Sequence, residues 1–315
     1  MQKWIKPFGF LILLILICSA LARIIGGRSE TLADYARKNP PALAASPRAT
    51  KTPEKTAAPA PSTAQSSTPS PSAVPQTTPD LPKFTPLCEE SEESVHYQDG
   101  FFYQPLTDPV IAKITGISYP VSEAVAPALA QTAVNLIGAG ETPAVSLEEL
   151  RYMNVLYYDF EGEIKIGELI CNRGIADDLM EIFYELYLNE YRIERIRLID
   201  EYGGDDTASM EDNNTSCFNY RVVDGTASLS KHALGCAIDI NPFYNPYVVY
   251  NRDGSGETYI SPKGSEIYAD RSRNFPYKID ESDLCYQLFK EHGFTWGGSW
   301  NSSKDYQHFQ KVVVE

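Results

Sequence analysis

The sequence predicts an α+β fold, a mainly antiparallel sheet flanked by helices. Three observations lead there. Apolar residues recur at helical spacing in Ile175, Leu179, Ile182, Phe183 and Leu186. Two strand-like segments, 152–160 and 164–171, are separated by Glu161-Gly162-Glu163, which suggests an antiparallel hairpin. Strands and helices then mix without a repeating βαβ rhythm, which argues against a parallel α/β sheet.

In chain order, residues 109–114 read as a short helix capped by Asp108, with Pro109 at the first helical position. Residues 125–137 have roughly helical apolar spacing and end at Gly138; Pro127 is tolerated in the first turn. After the hairpin, 175–187 forms an amphipathic helix, with Asp177 and Asp178 in the first turn where the dipole favours acids. Residues 196–199 and 236–240 read as strands. Residues 284–292 read as a helix stopped by Gly293. Residues 294–297 and 307–314 complete the pattern as strands.

Composition divides the 315 residues into three parts. Lys3 and Lys6 precede an apolar run over 8–21, and Ala20-Leu21-Ala22 fits a small-x-small cleavage site, so 1–22 is expected to be a signal peptide or an N-terminal membrane anchor. Ile17 stands where a lipoprotein site needs a small residue, which argues against lipidation at Cys18. Residues 23–86 form a linker rich in Pro, Ala, Ser and Thr. That composition, densest over 39–86, cannot bury enough apolar surface to offset ordering entropy, so it predicts a disordered tether, with 39–86 reaching ~150 Å if fully polyproline-like. Residues 87–315 are globular in composition and of single-domain length, with no solenoid repeat. The expected location is outside the cytoplasm: extracellular or in the cell envelope. The net charge of −15 disfavours nucleic acid as a partner. Five cysteines follow the leader, Cys88, Cys171, Cys217, Cys236 and Cys285. Their odd number leaves at least one unpaired, and without a CxxC pair they do not suggest a cysteine zinc site.

Two stretches carry the chemistry. In 228–242, SLSKHALGCAIDINP, alternation points Ile238 and Ile240 to one face and Ala237, Asp239 and Asn241 to the other. His232 lies on the turn before this strand, and Gly235 lets the backbone turn there. A histidine and a carboxylate converging in this way suit zinc. In 293–310, GFTWGGSWNSSKDYQHFQ, His308 follows Asp305 by three residues, and Phe309 faces the core if His308 faces a site. Of the remaining histidines, His292 falls at a helix end, where a structural role suits it, and His96 is assigned no function. Ser230 either orients a substrate or makes a turn. Spacing alone leaves open a structural pairing, with His232 capping its strand and Asp239 paired to Arg221.

The run Ser230-x-His232-x-x-Gly235-x-Ala237-x-Asp239 resembles the SxHxxGxAxD signature of the VanY-type zinc peptidases. That family includes D-alanyl-D-alanine carboxypeptidases, D,D-dipeptidases and L-alanyl-D-glutamate endolysin peptidases. Its second motif, an acid and then His three residues later after a WGG-W run, is matched by Trp296-Gly297-Gly298, Trp300, Asp305 and His308. GELICN (167–172) and RLIDEYGGDD (197–206) are also similar, so the resemblance runs from Glu168 to the C-terminus.

The resemblance implies a hedgehog/DD-peptidase-like scaffold and a Zn2+ ion held by His232, Asp239 and His308. It also implies Asp305 as catalytic acid/base and, by a looser match, Arg221 as stabiliser of transition-state charge. An aspartate rather than glutamate at 305 leans toward the endopeptidase-like members. The implied function is hydrolysis of D-amino-acid-containing peptide bonds in bacterial peptidoglycan, by a D-Ala-D-Ala carboxypeptidase or an L-Ala-D-Glu type endopeptidase. Stem peptides are the expected partners, and the chain is expected to act as a monomer. The alternatives are a non-catalytic zinc-containing module that binds the cell wall, and a secreted structural protein with buried His–Asp pairs. Every catalytic version requires His232 and His308 to meet around one ion.

Overall fold

A computed structural model describes residues 86–122, 133–223, 226–251 and 254–313. The leader or anchor expected at 1–22, and the linker expected at 23–86 apart from residue 86, lie outside the described residues. Among the described residues, no helix is long and apolar enough to cross a membrane.

The chain enters through β1 (Val95–Gln98) and β2 (Phe101–Pro105), followed by α1 (Asp108–Ile114). Pro109 lies in the first turn as expected, but the capping position is Thr107 and Asp108 is already helical. Next come β3 (Val121–Ser122) and β4 (Leu136–Ile137), which pair in parallel. Residues 125–132 of the helix expected over 125–137 lie outside the described residues, and its end is strand instead. There, backbone pairing outweighs the helical spacing: the amides of Val134 and Asn135 donate to Gly116 O, and Leu136–Ile137 join Val121–Ser122.

The predicted hairpin is present as β5 (Leu150–Tyr158) and β6 (Ile164–Asn172), antiparallel in register from Leu150↔Asn172 to Tyr158↔Ile164. With β1 and β2 it forms a four-stranded antiparallel sheet of order β1-β2-β5-β6. The amphipathic helix follows as α2 (Ala176–Leu188). Leu179, Met180, Ile182, Phe183 and Leu186 of α2 are buried in one core with Met153 and Val155 of the sheet.

Of the strand expected over 196–199 only Ile196 is strand, in β7 (Arg195–Ile196), and Ile199–Tyr202 turn into a 3-10 helix. The Asn214 side chain accounts for the difference. Its oxygen accepts from Arg197 N and its nitrogen donates to Arg197 O, which replaces a ladder. α3 (Asp206–Glu211) and β8 (Asn214–Thr215), the parallel partner of β7, complete this region.

The remaining strands are short: β9 (Ala237–Asp239), β10 (Tyr247–Tyr250), β11 (Thr258–Ser261), and, after α4 (Leu284–Glu291), β12 (Thr295–Trp296), β13 (Ser303–Asp305) and β14 (His308–Gln310). They form two three-stranded antiparallel sheets, β11-β10-β13 and β12-β14-β9. The fold is therefore α+β and mostly antiparallel, divided into several small sheets. The core joins its parts: Phe309 of β14 stacks on Phe289 of α4 at 4.3 Å, and Asp178 of α2 pairs with Lys311 at 2.6 Å and His292 at 3.3 Å. His292 thus has the structural place expected of it, at the end of α4. Cys88, Cys171, Cys217, Cys236 and Cys285 are all free, and all but Cys88 are buried. Burial pushes the Cys217 and Cys285 thiols well up, away from the reactive thiolate.

Candidate metal centre and cleft

His232 reaches the site from a one-turn 3-10 helix, Lys231–Leu234, set by both of its ends. At the front, Ser230 Oγ accepts from the His232 amide at 3.3 Å, so Ser230 makes the turn. At the back, Gly235 adopts φ +66°, and a Cβ there would lie 2.6 Å from Asn172 N, the amide that donates to Gly235 O. Gly235→Ala therefore combines left-handed strain with a backbone clash. It should cost about 2 kcal/mol or more of stability, read as a lowered urea midpoint.

Asp239 and His308 face each other directly across the β9–β14 pair, with Ile238 opposite Phe309 one residue away. Alternation then sends His308 and Asp239 to the site while Ile238 and Phe309, both fully buried, enter the core. Gly297 packs directly against the site residues, since a Cβ there would lie 2.6 Å from Asp305 O and 3.3 Å from His308 Cβ. The glycine of the WGG run is thus required by close approach.

The donor atoms converge. His232 Nε2 is 3.1 Å from His308 Nδ1 and 3.3 Å from Asp239 Oδ2, and His308 Nδ1 is 2.9 Å from Asp239 Oδ1. All three residues are buried. Ligands about 2.0–2.2 Å from a tetrahedral ion stand roughly 3.3–3.5 Å apart, so the triangle suits one small divalent ion with modest opening. The outer hydrogen bonds agree. His232 Nδ1 lies 2.6 Å from Cys217 O and His308 Nε2 lies 3.0 Å from Gln310 Oε1. Each ring donates outward and turns its other nitrogen's lone pair inward. Two lone pairs and a carboxylate aimed at one point call for a cation or a proton.

The electrostatics follow. Burial alone would raise the Asp239 carboxyl, but His232 and His308 outweigh it and hold the group well below the usual carboxylate range. Burial disfavours the charged His308 ring, yet Asp239 pushes it up to about 9. Asp305 behaves oppositely. Burial raises its carboxyl to about 7 against the opposing influence of His308, Gln307 and Arg221.

Asp305 and Arg221 line the same cleft as the cluster, a cavity of about 440 Å3. Arg221 Nη2 pairs with Asp206 Oδ2 at 2.9 Å, so the alternative pairing of Arg221 with Asp239 is not formed. Several cleft residues carried no site role from the sequence: Asp206, Tyr247, Trp300, Gln307 and Gln310. Gln310 was within reach of alternation, being two residues after His308 on one strand face. Asp206 ends the family-like run RLIDEYGGDD, which assigned it no role, and Tyr247 comes from a distant element and left no local signal. Trp300, whose ring lies 5.4 Å from that of His308, walls the cleft, whereas Trp296 donates to Tyr306 O from the core side.

Comparison with known proteins bears on this segment. Residues 224–311 match the family model for D-alanyl-D-alanine carboxypeptidase. The match is consistent with the VanY-type family and suggests a peptidase. It spans His232, Asp239, Asp305 and His308, and it leaves Arg221 just outside. No curated protein and no solved structure matches the chain.

Proposed function

We propose that the chain is an exported zinc peptidase that hydrolyses D-amino-acid-containing peptide bonds of bacterial peptidoglycan, as a D-Ala-D-Ala carboxypeptidase or an L-Ala-D-Glu type endopeptidase on a hedgehog/DD-peptidase-like scaffold. The observation that carries the reading is the convergence of His232, Asp239 and His308, with Asp305 and Arg221 in the same cleft. Zinc held by the three donors would supply Lewis acidity, bringing a water's pKa toward ~7 and polarising a carbonyl. Asp305 takes the proton from the attacking water and returns it to the leaving amine, a role suited to a carboxyl raised to about 7. Arg221, anchored by Asp206, meets the negative charge that develops on the carbonyl oxygen. A pure binding module has no need of a base at 305.

The test is zinc analysis of purified protein, followed by mass spectrometry of peptidoglycan fragments after incubation with it. About one zinc per chain is expected, together with new peptide products that vanish on chelation and return with zinc. Zinc without products would leave only the wall-binding module; neither would leave only a structural His–Asp cluster.

A further inference from the structure

Among the described residues, buried side-chain nitrogen and oxygen atoms without a hydrogen-bond partner are few, and three of them belong to residues lining one cleft: Arg221 Nε, Asp305 Oδ1 and Gln307 Oε1. Folded proteins pair almost all such atoms, so orphans gathered in one cavity mark where a ligand supplies the missing partners. Arg221 and Asp305 have roles in the proposed reaction, while Gln307 enters it only by lowering the Asp305 carboxyl.

Gln307 is 2% exposed and sits between Asp305 and His308. Its main-chain oxygen accepts from Ile240 N at 3.1 Å, which ties the residue to the end of β9. Its side-chain nitrogen lies 3.5 Å from Met210 Sδ, a weak acceptor on α3 that also lines the cleft. The carboxamide is thus held at its nitrogen end, and its oxygen is left without a donor.

We propose that Gln307 is a substrate-binding residue whose side-chain oxygen accepts a hydrogen bond from a backbone N–H of the peptide in the cleft. The oxygen can only accept, and the main-chain donors of a peptide are its amides. The assignment rests on the peptidase reading and adds a substrate contact through the oxygen, distinct from the hydrogen bonding by which the same side chain lowers the Asp305 carboxyl.

A chemical double-mutant cycle tests it. The wild type and Gln307→Leu, both zinc-loaded, are compared on the N-acetylated peptide that the wild type cleaves and on variants carrying one N-methyl group at an amide flanking the scissile bond. On the parent peptide, Gln307→Leu should lower kcat/KM about tenfold, mainly through KM, with zinc content unchanged. On one N-methylated peptide the gap between the two enzymes should shrink well below that on the parent, because the donor is already gone and only the substrate-independent effect on Asp305 remains. An equal loss on every peptide, or no loss on the parent, overturns the proposal. Gln307→Met serves if the leucine variant does not fold. If the wild type cleaves none of the peptides, the same cycle is read as calorimetric affinities. The coupling would then support the contact while the hydrolase reading fails; absence of binding overturns both.

Discussion

Asp305→Asn is expected to lower turnover by about 10²–10⁴-fold while bound zinc stays at its wild-type level. The separation of the two effects follows from geometry. The converging donors are those of His232, Asp239 and His308, and the Asp305 carboxyl is not among them. It is half-buried in the same cleft with Oδ1 buried and unpaired, so an amide of nearly equal size fits without a new cavity. What is lost is the ability to take a proton. The pH profile adds a second reading. Burial raises this carboxyl to about 7, and its working form is the ionised one. Wild-type kcat/KM should therefore climb as pH rises through the Asp305 pKa and fall away below it. A bound cation favours the carboxylate and moves that limb toward lower pH. The asparagine variant should lose the limb along with the rate. Wild-type turnover in Asp305→Asn would remove the residue from the reaction.

The sequence revealed most where a local pattern and its tertiary setting agree. The β5–β6 hairpin and α2 follow from apolar alternation and helical spacing, because the faces those patterns define are the faces the core buries. His232 and Asp239 could be placed together by a turn and a strand, and their meeting with His308 came from motif resemblance. The β9–β14 register that makes them neighbours is a pairing between residues 69 positions apart. No local signal encodes it. The failures share one cause. At Leu136–Ile137 and after Ile196, distant partners satisfied the backbone: the Gly116 carbonyl and the Asn214 side chain. The orphaned oxygen of Gln307 could be seen only once the surroundings of each polar atom were known.

Phe309→Ala should remove about 3–5 kcal/mol of stability, a large share of the 5–15 kcal/mol typical of a folded domain. Phe309 is fully buried, stacks on Phe289 at 4.3 Å with an interplanar angle of 15°, and stands opposite Ile238 in the ladder. Truncation leaves a cavity walled by α4 and β9, elements whose rigid packing prevents collapse. The effect should extend to the site. Phe309 follows His308 directly, and the core contact of one fixes the direction of the other on a strand of three residues. A loosened β14 holds its imidazole less firmly against Asp239, so zinc affinity should drop in the fraction that remains folded. Urea unfolding with and without zinc measures both quantities. The variant's midpoint should be lower in each case, and the gain from zinc should be smaller than in the wild type. An unchanged midpoint would mean that β14 is not anchored through this ring, and that the His308–Asp239 alignment is held from the cleft side alone.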